Sequence, residues 1–396
     1  MDAGIFRGIT NDDYHSGPGD SKSGLDLVDK APIYYRAATT AANDNRPPPT
    51  AAQALGTAFH MIVLEPGEFI RQYTLGLRRS DVPEAIDDRE VLVAMVQKLN
   101  EGRRAKIATS GSKAELIDRI VAENSDWTRE ALEPMKGAEL KSIIDGWNLT
   151  RQGLLTTSGS RHDLADLLRA NGVAVTLWSD VLAEWMANNG HRTVLSQEAW
   201  DQLHNMRDAV MAHPAASKLL SAPGEAELSA YWYEDVTDPV TGEVIGRMLC
   251  RCRPDYYRKD GLVADLKSCD DASEEAFARS IGTWRYHVQD PFYQDGLTKA
   301  LQQSGGFEDF QPPRAFVFIA CEKTACVVDG VAKGVAVYRL DEESREMGRH
   351  EYRANLRTLA RCQNSGEWPG YSDGIRQIKL PAWKFARAAE KTAAST

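Results

Sequence analysis

Arg253-Pro254-Asp255, followed five residues later by Gly261-Leu262-Val263-Ala264-Asp265-Leu266-Lys267, decides the fold of this chain. Side chains alternate along a strand, so Asp265 and Lys267 share one face and Leu266 takes the other. Nine residues separate Asp255 from Asp265, a spacing that suits antiparallel neighbours and brings both carboxylates and the lysine together. Charges at the ends of apolar strands are costly unless an ion or a substrate compensates them. Working outward, 227–234 alternates as a strand, Asp238-Pro239-Val240-Thr241-Gly242 makes a hairpin turn, 244–257 returns as a second strand and 261–268 is the third. Helical text at 197–220, 274–302 and 342–362 brackets two further strands, 313–321 and 334–340. The sequence predicts an α/β class with a mixed central sheet flanked by helices.

A hard divalent cation takes oxygen ligands. Asp255, Asp265 and the backbone carbonyl of Leu266 supply three, so Mg²⁺, with Mn²⁺ as a substitute, is the expected cofactor. Lys267 beside it can position or deprotonate water, or stabilise charge growing on phosphate oxygens. That is the equipment of a phosphodiester hydrolase. The formal net charge of −10 over 396 residues lowers the expectation of nucleic-acid binding without excluding it. Carboxylates are needed as metal ligands, and positive charge can be confined to one channel. Cys250, Cys252, Cys269, Cys321, Cys326 and Cys362 lie mostly in apolar runs and read as reduced thiols, neither a disulfide framework nor a zinc site. With no long apolar run and no signal-like opening, the expectation is a soluble, cytosolic protein without membrane contact.

Further motifs add a resemblance. Gly56-Thr57-Ala58-Phe59-His60, with Glu65 after it, looks like the first-helix Gly-x-x-x-His element of the RecB-type branch of the PD-(D/E)xK nuclease superfamily. Gln289 and Tyr293, within Tyr286-His287-Val288-Gln289-Asp290-Pro291-Phe292-Tyr293, look like its Gln-x-x-x-Tyr motif, two side chains on one helical face. Taken singly, His60 reads as a satisfied core histidine and Gln289 and Tyr293 as sheet packing; four elements in the expected order outweigh that. Within the branch the text resembles the RecE-type (exodeoxyribonuclease VIII) exonucleases. The matching text includes Tyr14-His15-Ser16-Gly17-Pro18-Gly19, Leu64-Glu65-Pro66, Cys250-Arg251-Cys252-Arg253-Pro254-Asp255 and Glu367-Trp368-Pro369. Lys267-Ser268 replaces that family's Lys-Thr.

The resemblance implies a restriction-endonuclease-like core and a 5′-to-3′ exonuclease. Such an enzyme digests one strand of linear double-stranded DNA from its ends and leaves 3′ overhangs for a RecT-type annealing protein. It also implies a homo-oligomeric ring and a phage or prophage origin. By residue, His60, Asp255 and Asp265 would hold the metal, Lys267 would serve the attacking water, Gln289 and Tyr293 would support the site or touch DNA, and Glu65 would stand behind the ligands. Ser21, Lys22 and Ser23 at a helix start suit a phosphate, or simply cap the helix. Arg251 and Arg253 line the DNA channel or make ion pairs. Too few cysteines flank the core for the iron–sulfur cluster of some relatives. The alternatives are a RecB-like nuclease of other polarity, an endonuclease, or a DNA-binding assembly protein.

Composition divides the chain into a nuclease part at 1–80 and 191–380, a helical insertion at 81–190 and a basic tail at 381–396. Within the insertion Thr109-Ser110-Gly111-Ser112-Lys113-Ala114-Glu115-Leu116 recurs 48 residues later as Thr157-Ser158-Gly159-Ser160-Arg161-His162-Asp163-Leu164. The offset carries upstream to Leu92 and Leu140, Val96 and Ile144, Asn100 and Asn148, and Ile107 and Leu155. Two helix-turn-helix copies, about 88–124 and 136–172, are expected. Each resembles the DNA-binding SAP motif, with Lys113 and Arg161 as candidate phosphate contacts; a capped helical spacer is the competing reading.

Overall fold

A computed structural model describes residues 2–40, 49–372, 374–380, 382 and 385. Residues 41–48 and most of the basic tail, including Trp383, Lys384, Arg387 and Lys391, lie outside the described residues. Strands in chain order are β1 (Gly4–Phe6), β2 (Tyr73–Leu75), β3 (Thr193–Leu195), β4 (Gly224–Ala226), β5 (Ser229–Thr237), β6 (Val244–Cys252), β7 (Tyr256–Arg258), β8 (Leu262–Cys269), β9 (Ala315–Val328) and β10 (Val331–Tyr338). The chain forms two compact units, one of 1–72 with 196–396 and one of 73–195. These bounds fall at 72 and 195, where composition suggests 80 and 190.

The first unit has a three-stranded sheet ordered β1-β5-β6 and a five-stranded sheet ordered β10-β9-β8-β7-β4. β8 and β9 are parallel and the other neighbours antiparallel, so the larger sheet is mixed, as predicted. The expected second strand, 244–257, is two: the chain leaves the small sheet after Cys252 and joins the large one at Tyr256. Pro254 lacks the N–H that a continuous ladder would need. The parallel connection from β8 to β9 carries helices Glu274–Thr283 and Tyr286–Gln302, as a crossover requires. The predicted single helix 274–302 breaks because Arg285 adopts a left-handed conformation, φ 55°. The helix expected at 197–220 breaks at Pro214 into Gln197–Ala212 and Pro214–Ser221. Ala51–Leu64, which carries the Gly56-to-His60 motif, is helical, with Thr50 and Gln53 forming a capping box. Trp232, Tyr257, Phe277, Phe292, Phe316 and Phe318 dominate the core between sheets and helices.

In the second unit the repeated helices form, but they pack across the copies. Helix Arg89–Asn100 of the first copy buries Leu92 and Val96 against Leu164, Ala165 and Leu168 of helix Arg161–Ala170 in the second. Helix Lys113–Glu123 of the first copy buries Leu116, Ile117 and Ile120 against Leu140 and Ile144 of helix Gly137–Asn148 in the second. Two equivalent asparagines lock the exchange. The Asn100 amide bonds the Leu155 backbone in both directions (2.8 and 3.0 Å), and the Asn148 amide does the same to Ile107 (2.9 Å each). The twelve-residue linker from Glu101 to Ser112 is long enough to carry each second helix away from its own first one. The expectation of two self-contained helix-turn-helix copies is therefore corrected. β2 and β3 pair in parallel, Tyr73 opposite Thr193, where the chain enters and leaves this unit.

Candidate active site

β8 sits between β7 and β9, so its alternate residues point to opposite faces of a covered sheet. Asp265 is buried at 1% exposure, and Lys267, two residues on, brings its ammonium against Asp265 Oδ2. The Lys267 ammonium is the partner of Asp265 Oδ2 within the core. The other oxygen, Oδ1, accepts from Gln289 Nε2 at 2.6 Å, so the Tyr286–Gln302 helix fixes the carboxylate from above. Asp255 stands in the link between the two sheets. Its Oδ2 accepts from the Leu266 amide at 2.6 Å and lies 3.4 Å from His60 Nδ1, which arrives on helix Ala51–Leu64. Asp255, Asp265, Lys267, His60 and Gln289 thus meet, as the sequence reading expects.

Glu227 was missed. It precedes β5, its amide donates to the Asp255 carbonyl at 3.1 Å, and it holds a φ of 52°. One ligand atom each from His60, Glu227 and Asp255 falls within 4.8 Å of the others. A positive φ in a residue with a side chain is strained and marks functional positions. The only sequence signal was an acid at the start of an apolar strand.

The electrostatics are those of charges held out of water. Burial pushes the Asp265 carboxyl up to about 6 against the pull of Lys267. Burial, then the Asp255 charge, raises Glu227 to about 8. Burial alone would lower His60, but the Asp255 carboxylate holds it at about 9. Burial opposes ionisation of Asp255, yet His60, Lys267 and the Leu266 amide draw it below the usual carboxylate range. Lys267 stays above its ordinary value despite burial because both aspartates face it. Acids that burial drives toward protonation, and hard donors of His60, Glu227 and Asp255 around one point, fit a divalent cation. His60, Asp255, Asp265 and the Leu266 carbonyl would hold it, with Glu227 as a further donor.

The remaining candidates separate. Tyr293 packs edge-on to Phe316 at 5.9 Å and backs the site within the core. Glu65 ends helix Ala51–Leu64, is exposed, and adds its charge to those raising Glu227. Ser21 caps its helix through the Gly24 amide (3.3 Å) and bonds Ser23 Oγ (2.9 Å). Lys22 and Lys267 face the same Tyr286 ring, at 6.0 and 4.7 Å, and the Lys22 ammonium pairs with Asp26 (2.7 Å) and donates to the Trp284 carbonyl (2.7 Å). Arg251 and Arg253 line no channel. Arg251 donates to the Gly17 and His15 carbonyls (2.6 and 3.2 Å), and Arg253 to Ser229 Oγ and the Ile9 carbonyl (2.7 and 2.9 Å), pinning the N-terminal segment. Arg253 also makes the expected ion pair, with Glu227 at 4.0 Å. In the second unit Lys113 donates to the Glu133 carbonyl (2.5 Å) and Arg161 bridges Asp87 (2.6 Å). The helix starts there are occupied by Ser112 with Glu115 and Ser160 with Asp163, and acids at those ends oppose a phosphate.

Residues 174–381, just over half of the chain, match the family model described as a PDDEXK-like domain of unknown function (DUF3799). No curated protein matches the chain. Among solved structures it is similar to a "Putative exonuclease" from Eubacterium rectale, at 13% identity and a TM-score of 0.31 over 63% of this chain and 85% of that one. It is also similar to SSO0001, at 12% identity and a TM-score of 0.20 over 70% of this chain and 86% of that one. Overlays that loose bear on neither fold nor activity.

Proposed function

The chain belongs to the PDDEXK-like DUF3799 family, and from that premise we propose that it is a divalent-metal-dependent deoxyribonuclease, a 5′-to-3′ exonuclease on one strand of linear duplex DNA. The observation that carries the nuclease reading is the buried Asp265–Lys267 pair beside Asp255, with one ligand atom each of His60, Glu227 and Asp255 within 4.8 Å of the others. Mg²⁺ or Mn²⁺, when bound, supplies Lewis acidity toward phosphate oxygens and acidifies water. The chain's own groups do the rest. Gln289 locks Asp265 in one rotamer, and Leu266 does so for Asp255 through its amide. Lys267, charged and desolvated, orients the attacking water and neutralises charge growing on the scissile phosphate. Lys22, on the same aromatic ring, holds Asp26 and the Trp284 carbonyl and so fixes the start of the helix that carries Gln289. Direction of digestion, the ring, the RecT-type partner and the phage origin rest on the sequence resemblance.

Digestion of a linear duplex with a 5′-phosphate, labelled separately at each end, beside a closed circle, tests the reading. Metal-dependent release of the 5′ label with the circle untouched is expected, and EDTA abolishes it. Lys267→Ala lowers cleavage by roughly 10³-fold while DNA binding persists. Cutting of the circle, or first release from the 3′ end, rejects the exonuclease assignment and keeps the phosphodiester chemistry. Unchanged cleavage by Lys267→Ala rejects the mechanism.

A further inference from the structure

The break between helices Glu274–Thr283 and Tyr286–Gln302 is not an ordinary loop. Trp284 closes the first helix and Arg285 starts the second in a left-handed conformation, φ 55° and ψ 39°, a region that a residue with a long side chain seldom adopts. The Arg285 guanidinium is held by Asp26 (3.1 Å), Asp29 (3.3 Å), Glu351 (2.9 Å) and Asn355 (3.0 Å). These partners come from helices Lys22–Lys30 and Glu342–Ser365. The backbone on the other side is held too, because Lys22 Nζ donates to the Trp284 carbonyl at 2.7 Å. What this fixed corner presents is an indole that is 62% exposed.

Its position gives the indole a partner. Tyr286, two residues on, is the ring faced by both Lys22 and Lys267, so the corner lies within two residues of the ring beside the catalytic lysine. Cations alternating with aromatic rings beside a phosphodiester site match a single nucleic-acid strand: phosphates to the ammonium groups, bases to the ring faces. A strained, over-determined backbone is what holds such a ring in place while substrate passes.

We propose that Trp284 stacks on an unpaired base of the strand entering the active site and so holds the adjoining phosphate at Lys267. This rests on the nuclease reading. The indole touches a base, so it selects strands that carry one, while Lys267 serves the backbone and Lys22 holds the corner.

The test uses the full chain and a linear duplex whose cleaved strand carries at its terminal nucleotides normal bases, 2-aminopurine or abasic sites. In a Lys267→Ala background with Mg²⁺, 2-aminopurine fluorescence is expected to be quenched on binding, and the quench is lost with Trp284→Ala. With Lys267 intact, Trp284→Ala lowers kcat/KM by about 10-fold on normal DNA. Trp284→Phe stays within about 3-fold of the parent, since a smaller ring still stacks. On abasic ends parent and Trp284→Ala cleave alike. Equal losses on normal and abasic DNA, no loss on either, or an absent quench overturns the proposal. A changed oligomeric state with base dependence intact also overturns it and assigns the indole to a contact between copies. If the parent cleaves no DNA with Mg²⁺ or Mn²⁺, the nuclease reading fails, and the quench alone decides the stacking.

Discussion

Glu227 and Asp290 are two buried acids with different fates. Glu227 shares a point with His60 and Asp255, so Glu227→Gln is expected to weaken metal binding by about 10- to 100-fold, read by Mn²⁺ titration with DNA absent; an unchanged affinity removes it from the ligand set. Asp290 is 1% exposed, bonded to Gln294 Nε2 and pushed up to about 6, chiefly by burial. Its folded value lies above the unfolded 3.8, so the folded chain keeps a proton that the unfolded chain releases. The stability this confers is complete below that lower value and lost as pH rises through about 6. Asp290→Asn is therefore expected to be more stable than the parent at pH 8, by ~1–3 kcal/mol, and no more stable near pH 3.5, in urea unfolding. Equal differences at both pH values would show that the group titrates normally. At this scale Asp255, Asp265 and Lys267 were legible because strand alternation and a nine-residue interval are local rules. Glu227 was not, because only the bend at Pro254 brings its backbone to Asp255. For Arg251 and Arg253 the ion-pair alternative holds at Arg253, which pairs with Glu227, but a run of sequence does not say that carbonyls of a distant N-terminal segment will fill most of their donors.

Elements were legible wherever the signal was periodic or capped, as with Ala51–Leu64, and broke where a single residue overrode the period. Pro214 announces its break in the text; Arg285 does not, since its left-handed backbone follows from ion partners on other helices. The crossing of Tyr286–Gln302 with Glu342–Ser365 is set by Gly348, where an added Cβ would lie 1.8 Å from the His287 carbonyl. Gly348→Ala must part the two helices and is expected to cost ~3 kcal/mol or more in urea unfolding. It should also depress cleavage, because Gln289 rides on the displaced helix. Gly282→Ala, in open space, is the control and should change stability by under about 1 kcal/mol. Similar costs for both would mean that the helices do not meet at Gly348.

At the scale of the molecule, β2 and β3 bring the ends of the second unit side by side, and neighbouring strands lie ~4.8 Å apart. Replacing Tyr73–Leu195 by a short Gly/Ser linker should leave a folded protein that still cleaves DNA with metal, since the large core draws only on the first unit. A chain that fails to fold after the excision would show that the first unit depends on the second. The 48-residue repeat was plain in the text, but its exchange was not, because identical apolar positions in two copies pair equally well within or across them. That exchange nests one pair of helices inside the other, and a nested order has a timetable during synthesis. Gly137–Asn148 emerges soon after Lys113–Glu123, so the inner pair closes first. Arg89–Asn100 must wait for Arg161–Ala170, ~3–12 s at ribosomal rates of roughly 5–20 residues per second. Through that interval Leu92 and Val96 stand as bare apolar surface on a nascent chain, and holding them apart from other polypeptides is the work of whatever chaperone meets the ribosome's exit.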